Sequence, residues 1–478
     1  MLERFTIPHV FVLLTTIIFI CSLLTYLIPS GNFDREKKII KGVERDIVIP
    51  DTYKIHKKTI TFQSIIWGNN NPDEVSPVSL IGFLSAIPRG MRKSADIIFF
   101  IFIIGGVFGI LQQTGVITAF IQRLLDIFGD RAVLLTITLM TVLAIGGSTL
   151  GMGEEFIPLV PLFLIVSKKI GYDRIYGLAL VMVAADVGFA AATTNPFTVN
   201  VAQGIAQLPL NSGILFRIVF LAGCLTITYL YLIRYGKKIK NNPAASIMGA
   251  DDFNDIDVTF KEKRFKKRHV VIMLSSILIF CFLLYAVQFK NWWLAEMAGG
   301  FLLIGYSAIF FSRMTLSEAT TSFLNGMRDM VLAALVVGFA RGIEVVLQEG
   351  MILDTLIYYA STLLYHFPKI VAAEGMFVIQ TFLNLFIPSG SGQAMVTMPI
   401  MAPLADVLSL TRQTAVFAFT CGDGFSNSII PTSGVLMAML GLAKIPYEKW
   451  LRFMTPLFIL LSLFSAIFLA IAVTINYQ

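Results

Sequence analysis

Two similar apolar stretches of the chain are each interrupted by glycine, proline, asparagine and carboxylate residues. The first includes Gly146-Gly-Ser-Thr-Leu-Gly-Met-Gly-Glu-Glu155 and Thr193-Thr-Asn-Pro196. The second includes Pro388-Ser-Gly-Ser-Gly-Gln393 and Gly422-Asp-Gly-Phe-Ser-Asn427, followed by Pro431-Thr-Ser433. Non-helical backbone survives at membrane depth only where it is buried in protein or lines a wet cavity. Paired interruptions in two halves of one chain therefore predict a binding site of the kind that transporters build.

The composition is that of an integral membrane protein. Of the 478 residues, 56% are hydrophobic and 14% are charged, whereas about a quarter of a soluble protein is charged. Basic residues cluster in loops, which follows the positive-inside pattern and does not suggest a nucleic-acid partner. The sequence has no Walker A loop, which argues against a built-in ATPase. We expect a multi-pass protein in a lipid bilayer.

The apolar runs predict an all-α fold with about eleven transmembrane segments. Segments 148–167 and 388–408 are too short and too broken to span, and we interpret them as two re-entrant hairpins. The spanning segments are predicted near 7–28, 95–116, 131–147, 174–206, 212–234, 270–287, 291–312, 329–349, 369–386, 410–443 and 450–474.

Three further segments are polar or amphipathic. Residues 31–77 are predicted to form a long polar loop, and residues 78–93 an amphipathic helix at the membrane interface. The loop from Arg234 to His269 carries ten Lys and Arg residues, so we place it in the cytoplasm.

A weak internal repeat relates the two halves at an offset of about 236 residues. Gly90-Met-Arg92 matches Gly326-Met-Arg328, and Asp186 aligns with Asp423. We therefore divide the chain into a first repeat at 1–235, a basic linker at 236–269 and a second repeat at 270–478. Secondary transporters are often built this way, with the binding site between the repeats.

Four carboxylates in the interrupted stretches are candidate site residues. Glu154 and Glu155 fall in the first hairpin, and Asp186 and Asp423 lie beside glycines before predicted helix breaks. Charged side chains at membrane depth cost about 2.5–3.5 kcal/mol, so they usually face a cavity and have a function. The alternatives are that the glutamates lie at the membrane surface and that the aspartates cap broken helix ends.

Neutral polar residues complete the candidate site. Asn195, Asn427 and the hairpin tip with Ser389, Ser391 and Gln393 are candidates for substrate binding, as are the carboxylates Glu154, Glu155 and Asp423. Exposed carbonyls at broken helices coordinate Na⁺, and exposed N–H groups bind carboxylates. Helix capping and tight packing are the alternatives. With Asp186, a set of hydroxyl residues is assigned to a coupling ion or to the breaks: Ser148, Thr149, Thr193, Thr194, Ser426, Thr432 and Ser433.

Arg341 and Glu344 lie three residues apart in segment 329–349. They share one helical face, which predicts a structural ion pair. No cysteine or histidine spacing suggests a metal site, so we expect no cofactor other than Na⁺ or H⁺ as a coupling ion.

Several motifs together resemble the YfcC-type branch of the C4-dicarboxylate anaerobic carrier (DcuC) family. They are Thr25-Tyr-Leu-Ile-Pro-Ser-Gly31, Gly151-Met-Gly-Glu-Glu155, Gly338-Phe-Ala-Arg-Gly342, Pro388-Ser-Gly-Ser-Gly-Gln-Ala394 with Met398-Pro-Ile-Met-Ala-Pro403, and Gly422-Asp-Gly-Phe-Ser-Asn427. The resemblance implies an elevator-type carrier of the ion transporter superfamily, commonly a homodimer. It also implies hairpins that enter from opposite sides, whereas counting the predicted segments would put both on one side.

The resemblance leaves two substrate classes open. The family name indicates C4-dicarboxylates, while this branch is commonly described as basic amino-acid carriers that include arginine/ornithine exchange. The hairpin tips carry no Lys or Arg, and the motifs supply acidic residues that suit a cationic amino acid. The leading hypothesis is therefore a non-enzymatic antiporter of cationic amino acids in the bacterial cytoplasmic (inner) membrane. The alternative is a Na⁺- or H⁺-coupled dicarboxylate transporter. A channel and a membrane-embedded enzyme are less well supported, because paired hairpins suit an occluded site and no nucleophile–base pairing is evident.

Overall fold

The structure, a computed structural model, describes residues 10–40, 43–68, 75–128, 131–249, 266–290 and 292–478. Most of these residues are helical. The helices of the first half are α1 (Val10–Leu27), α2 (Phe62–Ile66), α3 (Leu80–Lys93), α4 (Ala95–Thr114), α5 (Val116–Phe128), α6 (Ala132–Leu150), α7 (Val160–Lys169), α8 (Arg174–Ala190), α9 (Val199–Ile205) and α10 (Ile214–Asn241).

The helices of the second half continue this numbering. They are α11 (Lys267–Phe289), α12 (Leu294–Ser312), α13 (Leu316–Asp329), α14 (Val331–Glu349), α15 (Leu353–Leu364), α16 (Lys369–Asn384), α17 (Gly390–Val407), α18 (Arg412–Ser426), α19 (Gly434–Ala443) and α20 (Tyr447–Thr474). Short 3₁₀ helices lie at Glu154–Leu159 and Pro243–Ala245.

Eight helices among the described residues are long and apolar enough to cross a membrane. They are α1, α4, α6, α10, α11, α12, α14 and α20. The remaining predicted spans differ in form. The stretch 174–206 is split into α8 and α9, and 410–443 is split into α18 and α19. Pro196 and Pro431 fall in these gaps, where a proline cannot continue a helix. The total of eleven spans and the re-entrant course of the two hairpins, 148–167 and 388–408, stay predictions; the word hairpin below refers to these two segments.

Helices α3 to α10 and α13 to α20 follow one another in the same order in the two halves. Each helix of the second series begins 230 to 238 residues after its counterpart, close to the offset that the sequence predicts. The boundaries of the repeats stay a prediction: α10 runs past residue 235, and residues 250–265 of the predicted linker lie outside the described residues.

Helices of the first half cross helices of the second half at glycines, in two places: α3 crosses α14, and α4 crosses α13. A β-carbon on Gly90 of α3 would lie 2.6 Å from both the carbonyl oxygen of Gly338 and the nitrogen of Gly342 in α14. In the same way, a β-carbon on Gly326 of α13 would overlap the carbonyl of Gly105 in α4. Small residues let helix backbones approach this closely. The crossing explains the amphipathic pattern of α3, because its small-residue face packs on α14.

The predicted loop 31–77 contains strands, so the fold is predominantly but not entirely α-helical. Strands β1 (Ser30–Asn32) and β4 (Lys54–His56) pair antiparallel, as do β2 (Arg35–Ile40) and β3 (Val43–Val48). Arg35 forms an ion pair of 2.8 Å with Asp354 of α15, and Phe33 is buried beside Tyr53. The segment therefore folds onto the helices.

The helices form two groups that pack mainly within themselves. We call α1, α3, α4 and α11 to α14 the frame group, and α6 to α10 with α16 to α20 the hairpin group. The main contact between the groups joins α14 to α19, and a smaller one joins α4 to the 3₁₀ helix at Glu154–Leu159. The interrupted segments all belong to the hairpin group.

Candidate functional site

A cavity of about 340 Å³ lies between the frame group and the hairpin group. The frame group contributes charged residues from the junction of α3 with α4 and from α14, and an indole from the loop before α12. These are Lys93, Asp96, Arg341 and Trp293. Eight of the predicted site residues line the opposite wall: Glu154, Glu155, Asp186, Ser389, Ser391, Asn427, Thr432 and Ser433. This volume is within the range of small-molecule sites.

The two glutamates reach the cavity because α6 ends early. Gly151 adopts a left-handed conformation with φ of 70°, which stops the helix at low steric cost. The 3₁₀ helix that follows carries both carboxylates. Glu155 is 6% exposed, and its Oε2 accepts a hydrogen bond of 2.9 Å from the backbone of Gly153. Two acidic side chains are thus held at the cavity wall by local backbone geometry.

The second hairpin tip presents the start of a helix to the cavity. Ser389 caps α17, and its Oγ accepts a hydrogen bond of 3.4 Å from the backbone N–H of Gly392. Ser389, Gly390 and Ser391 line the cavity. The first N–H groups of a helix lack partners within the helix and carry partial positive charge. This tip can therefore donate to a polar or anionic group in the cavity.

The break between α8 and α9 is held mainly by hydrogen bonds to the end of α6. Ser148 Oγ lies 3.1 Å from Thr193 Oγ1, and Thr194 Oγ1 donates to the carbonyl of Thr149. Asn195 is buried, and its Oδ1 accepts from the backbone of Phe197 at 2.8 Å. These five residues do not line the 340 Å³ cavity. Their contacts match the capping alternative. The substrate-binding role of Asn195 and the coupling-ion role of the other four residues stay predictions.

The break between α18 and α19 depends on Asn384, which the sequence analysis missed. Its Nδ2, with two N–H groups, lies within hydrogen-bond distance of three acceptors: the carbonyl of Asp423 at 2.7 Å, Ser426 Oγ at 2.8 Å and Asn427 Oδ1 at 2.9 Å. One buried amide therefore ties the end of α16 to the end of α18. An asparagine in an apolar helix just before Pro388 was the available signal.

Gln393 lies away from the cavity, inside the second hairpin. It is fully buried, and its Nε2 donates to the carbonyl oxygen of Gln380 at 2.9 Å and to Gln380 Oε1 at 2.7 Å. These bonds tie α17 to α16. A direct role of Gln393 in substrate binding stays a prediction.

Asp423 and Asp186 lie together behind the second hairpin tip. Asp423 is fully buried and does not line the cavity, whereas Asp186 does. A β-carbon built on Gly390 would lie 3.1 Å from Asp423 Oδ2. Within the described residues, neither oxygen of Asp423 nor Oδ2 of Asp186 has a hydrogen-bond partner. Buried carboxylate oxygens without partners are costly when they are charged, so a proton or a bound cation would stabilise these residues.

The frame wall carries cations that the sequence analysis did not place at the site. The predicted ion pair between Arg341 and Glu344 is confirmed, with Nη1 2.5 Å from Oε2. Lys93 joins the same carboxylate, with Nζ 2.7 Å from Oε1. Both cations also line the cavity. The cavity therefore holds charges of both signs on opposite walls.

Two further polar features were missed. Arg217 of α10 is buried, donates to Thr420 Oγ1 at 3.1 Å and lies over the ring of Phe417. Gln288 of α11 donates to the carbonyl of Thr149 at 2.5 Å, beside a second, more open cavity of about 610 Å³. Neither residue had a sequence neighbour that marked it as part of a polar cluster.

The sequence matches known families over nearly its whole length. The family model described as C4-dicarboxylate anaerobic carrier (DcuC) matches residues 7–474. The chain is 31% identical to the Escherichia coli K12 protein named "Putative basic amino acid antiporter YfcC", a match that covers 100% of this chain and 98% of that protein. It is 28% identical to an uncharacterised protein of Haemophilus influenzae, over 99% of this chain and 98% of that one.

The fold is similar to a solved transporter structure. The crystal structure of the YdaH transporter of Alcanivorax borkumensis matches 98% of this chain and 99% of its own, with a TM-score of 0.50 and 15% sequence identity. At that identity the match establishes a shared fold and carries no information on substrate.

Proposed function

Because the chain belongs to the C4-dicarboxylate anaerobic carrier family, we propose that it is a secondary active transporter that exchanges cationic amino acids of the arginine and ornithine type across the bacterial cytoplasmic membrane. Family membership and the eight long apolar helices support transport by a multi-pass membrane protein. The single observation that carries the substrate class is the pair of glutamates, Glu154 and Glu155, at the cavity wall.

The charge of the cavity favours a cationic ligand. Its lining includes four carboxylates, on Asp96, Glu154, Glu155 and Asp186, against the two cations of Lys93 and Arg341. Both cations already share the carboxylate of Glu344. An ammonium or guanidinium group would reduce the excess negative charge and pair with carboxylates in a partly desolvated site. The name of the Escherichia coli relative agrees with this substrate class.

Neutral groups of the cavity can orient the rest of the substrate. The hydroxyls of Ser389, Ser391 and Ser433, together with the start of α17, can donate to a carboxylate. The amide of Asn427 can both donate and accept. These groups suit the backbone end of an amino acid whose side chain points to the glutamates.

Asp423 was predicted to bind substrate, but it does not line the cavity, so we propose that it holds the coupling ion, a proton or Na⁺, together with Asp186. Both residues carry a buried oxygen without a partner among the described residues, and such an oxygen is costly when it is charged. Loss or gain of a cation at these carboxylates would change the charge behind the second hairpin tip. This change in charge would alter the affinity for substrate on the cavity side of the same tip.

Alternating access is proposed to follow an elevator mechanism. The cavity lies at the junction of two helix groups whose mutual contacts are few beyond the α14–α19 contact. Movement of the hairpin group along the frame group would carry the site across the membrane. A homodimer, which the family resemblance implies, would fix the frame group while the hairpin group moves.

The alternative substrate is a C4-dicarboxylate, and one observation favours it. Arg341, Lys93 and the start of α17 are donors to carboxylates at the same cavity. In this case the glutamates would take part in ion coupling.

Isothermal titration of the purified protein separates the two candidates. We expect arginine and ornithine to bind, while succinate and malate give no heat of binding. Binding of malate without binding of arginine would replace the proposed substrate by the alternative. Binding of neither class would reject both.

A further inference from the structure

Arg341 is the one guanidinium that lines the cavity, within the part of the chain that the structure describes. It belongs to the frame group, whereas the glutamates and the hairpin tips belong to the hairpin group. Its Nη1 donates to Glu344 at 2.5 Å, and its Nε donates to Ser94 Oγ at 3.3 Å. The side chain is therefore held on two sides, and its orientation toward the cavity is fixed.

The remaining nitrogen of this guanidinium is available. Among the described residues, Nη2 of Arg341 has no hydrogen-bond partner. This nitrogen is not fully buried in protein. Because Arg341 lines the cavity, this nitrogen can donate to a ligand bound there. Guanidinium groups bind carboxylates preferentially through such directed N–H groups.

Glu154 and Arg341 both line the cavity, Glu154 on the hairpin group and Arg341 on the frame group. No ion pair within 4.0 Å joins them in the described structure. A cation faces a carboxylate across an open space of about 340 Å³. A zwitterionic ligand matches this arrangement, because its carboxylate can pair with Arg341 while its cationic group pairs with Glu154.

We propose that Arg341 binds the α-carboxylate of the transported amino acid. This inference rests on the proposed function, and it adds that the frame group, not only the hairpin tips, recognises the substrate. The substrate then bridges the two helix groups, with its cationic side chain on the glutamates and its carboxylate on α14. Movement of the hairpin group away from α14 would break the contact, so Arg341 would strengthen binding in the arrangement seen here.

The test compares ligands with and without an α-carboxylate. Agmatine is arginine without this group, and putrescine is the corresponding form of ornithine. In the wild type, arginine should bind more tightly than agmatine. In Arg341→Gln, the affinity for arginine should fall about tenfold or more, whereas the affinity for agmatine should change less than threefold.

Two controls separate recognition from stability. Arg89→Gln removes a neighbouring frame cation that pairs with Glu349 at 2.8 Å and does not line the cavity, so it should leave the arginine-to-agmatine ratio unchanged. Retained agmatine binding shows that a variant is folded. If Arg341→Gln does not fold, the double variant Arg341→Gln/Glu344→Gln, which removes both members of the ion pair, is measured in its place.

The outcomes are distinguishable. Suppose that the wild type binds arginine. If Arg341→Gln then lowers the affinities for arginine and agmatine equally, or leaves both affinities unchanged, the inference is wrong while the proposed function stands. If the wild type binds neither arginine nor ornithine, the proposed function fails, and this inference fails with it.

Discussion

Arg341 Nη1 lies 2.5 Å from Glu344 Oε2 on the next turn of α14, and the same guanidinium lines the cavity opposite Glu154. The ion pair thus holds a cavity-wall cation in place as well as neutralising charge within the membrane. Glu344 is nearly buried and also accepts Lys93. Removing the Glu344 side chain would leave the cations of Lys93 and Arg341 at the cavity wall without this carboxylate.

Glu155→Gln should weaken binding of cationic amino acids about tenfold or more, because it removes a charge but keeps a side chain that can accept from Gly153. Binding of citrulline, which resembles arginine in shape but is uncharged, should change little. Titration of the purified variant with arginine, ornithine and citrulline measures both effects. Equal losses for charged and uncharged ligands would indicate that Glu155 is structural.

Asp423→Asn should abolish uptake while the protein stays folded in the membrane. Asp423 is buried behind Gly390 and does not line the cavity, so arginine binding should fall much less than uptake. The control is Asp406→Asn, which removes an exposed carboxylate paired with Arg412 and should transport normally. Near-normal uptake by Asp423→Asn would remove this residue from the transport mechanism.

Asn384→Leu should lower stability by about 1–3 kcal/mol and reduce uptake, because three acceptors at the end of α18 lose their shared donor. Thermal unfolding in detergent and arginine uptake measure the two effects. Gln122→Ala is the control, since its bond to Asp126 is exposed and should contribute less than about 0.5 kcal/mol. Unfolding of Asn384→Leu at the wild-type temperature would mean that the break needs no such tie.

Gly90→Ala should destabilise the protein by about 1–3 kcal/mol, because the added methyl group would meet the backbone of α14 at 2.6 Å. Gly299→Ala is its matched control. No atom lies within 4 Å of a β-carbon built there, and alanine favours the helix. The midpoints of thermal unfolding should therefore shift in opposite directions. Equal midpoints for the two variants would contradict the close crossing of α3 and α14.

A disulfide between the two helix groups should stop transport if the hairpin group moves. A β-carbon on Gly434 of α19 would lie 3.4 Å from that of Val337 in α14, close to the separation of about 3.5–4.5 Å in disulfides. We expect Val337→Cys/Gly434→Cys, in a background without the four native cysteines, to lose uptake on oxidation and recover it on reduction.

The controls for this experiment are the single variants Val337→Cys and Gly434→Cys in the same cysteine-free background. Each has one thiol, so it cannot form the crosslink between α14 and α19. The same oxidation should leave uptake by both single variants largely unchanged. Full uptake by the oxidised Val337→Cys/Gly434→Cys protein would argue against an elevator movement at this contact.

The sequence located the interrupted segments because the residues that break a helix are visible in it. Gly151, Pro196 and Pro431 mark places where hydrogen bonding along a helix must stop, and the structure has breaks there. Glu154 and Thr432, near the breaks at Gly151 and Pro431, line the cavity, whereas Thr194 and Asn195, next to Pro196, do not.

Side-chain direction was harder to predict, since it depends on how separate helices pack. Gln393 lies four residues after Ser389, yet it points toward Gln380 and away from the cavity. Lys93 and Arg341 reach the cavity only because α3 crosses α14, and Asn384 matters only because α16 packs on α18. The strands of the 31–77 segment form by pairing with each other. The spacing of apolar residues in this segment did not predict that pairing.

The most direct test of cationic amino-acid exchange is counterflow in proteoliposomes. Vesicles containing the purified protein are loaded with unlabelled ornithine and offered labelled arginine, while succinate-loaded vesicles are offered labelled malate. We predict that internal ornithine drives accumulation of arginine and that malate is not taken up. Uptake of malate without uptake of arginine would contradict the proposal and identify a dicarboxylate carrier.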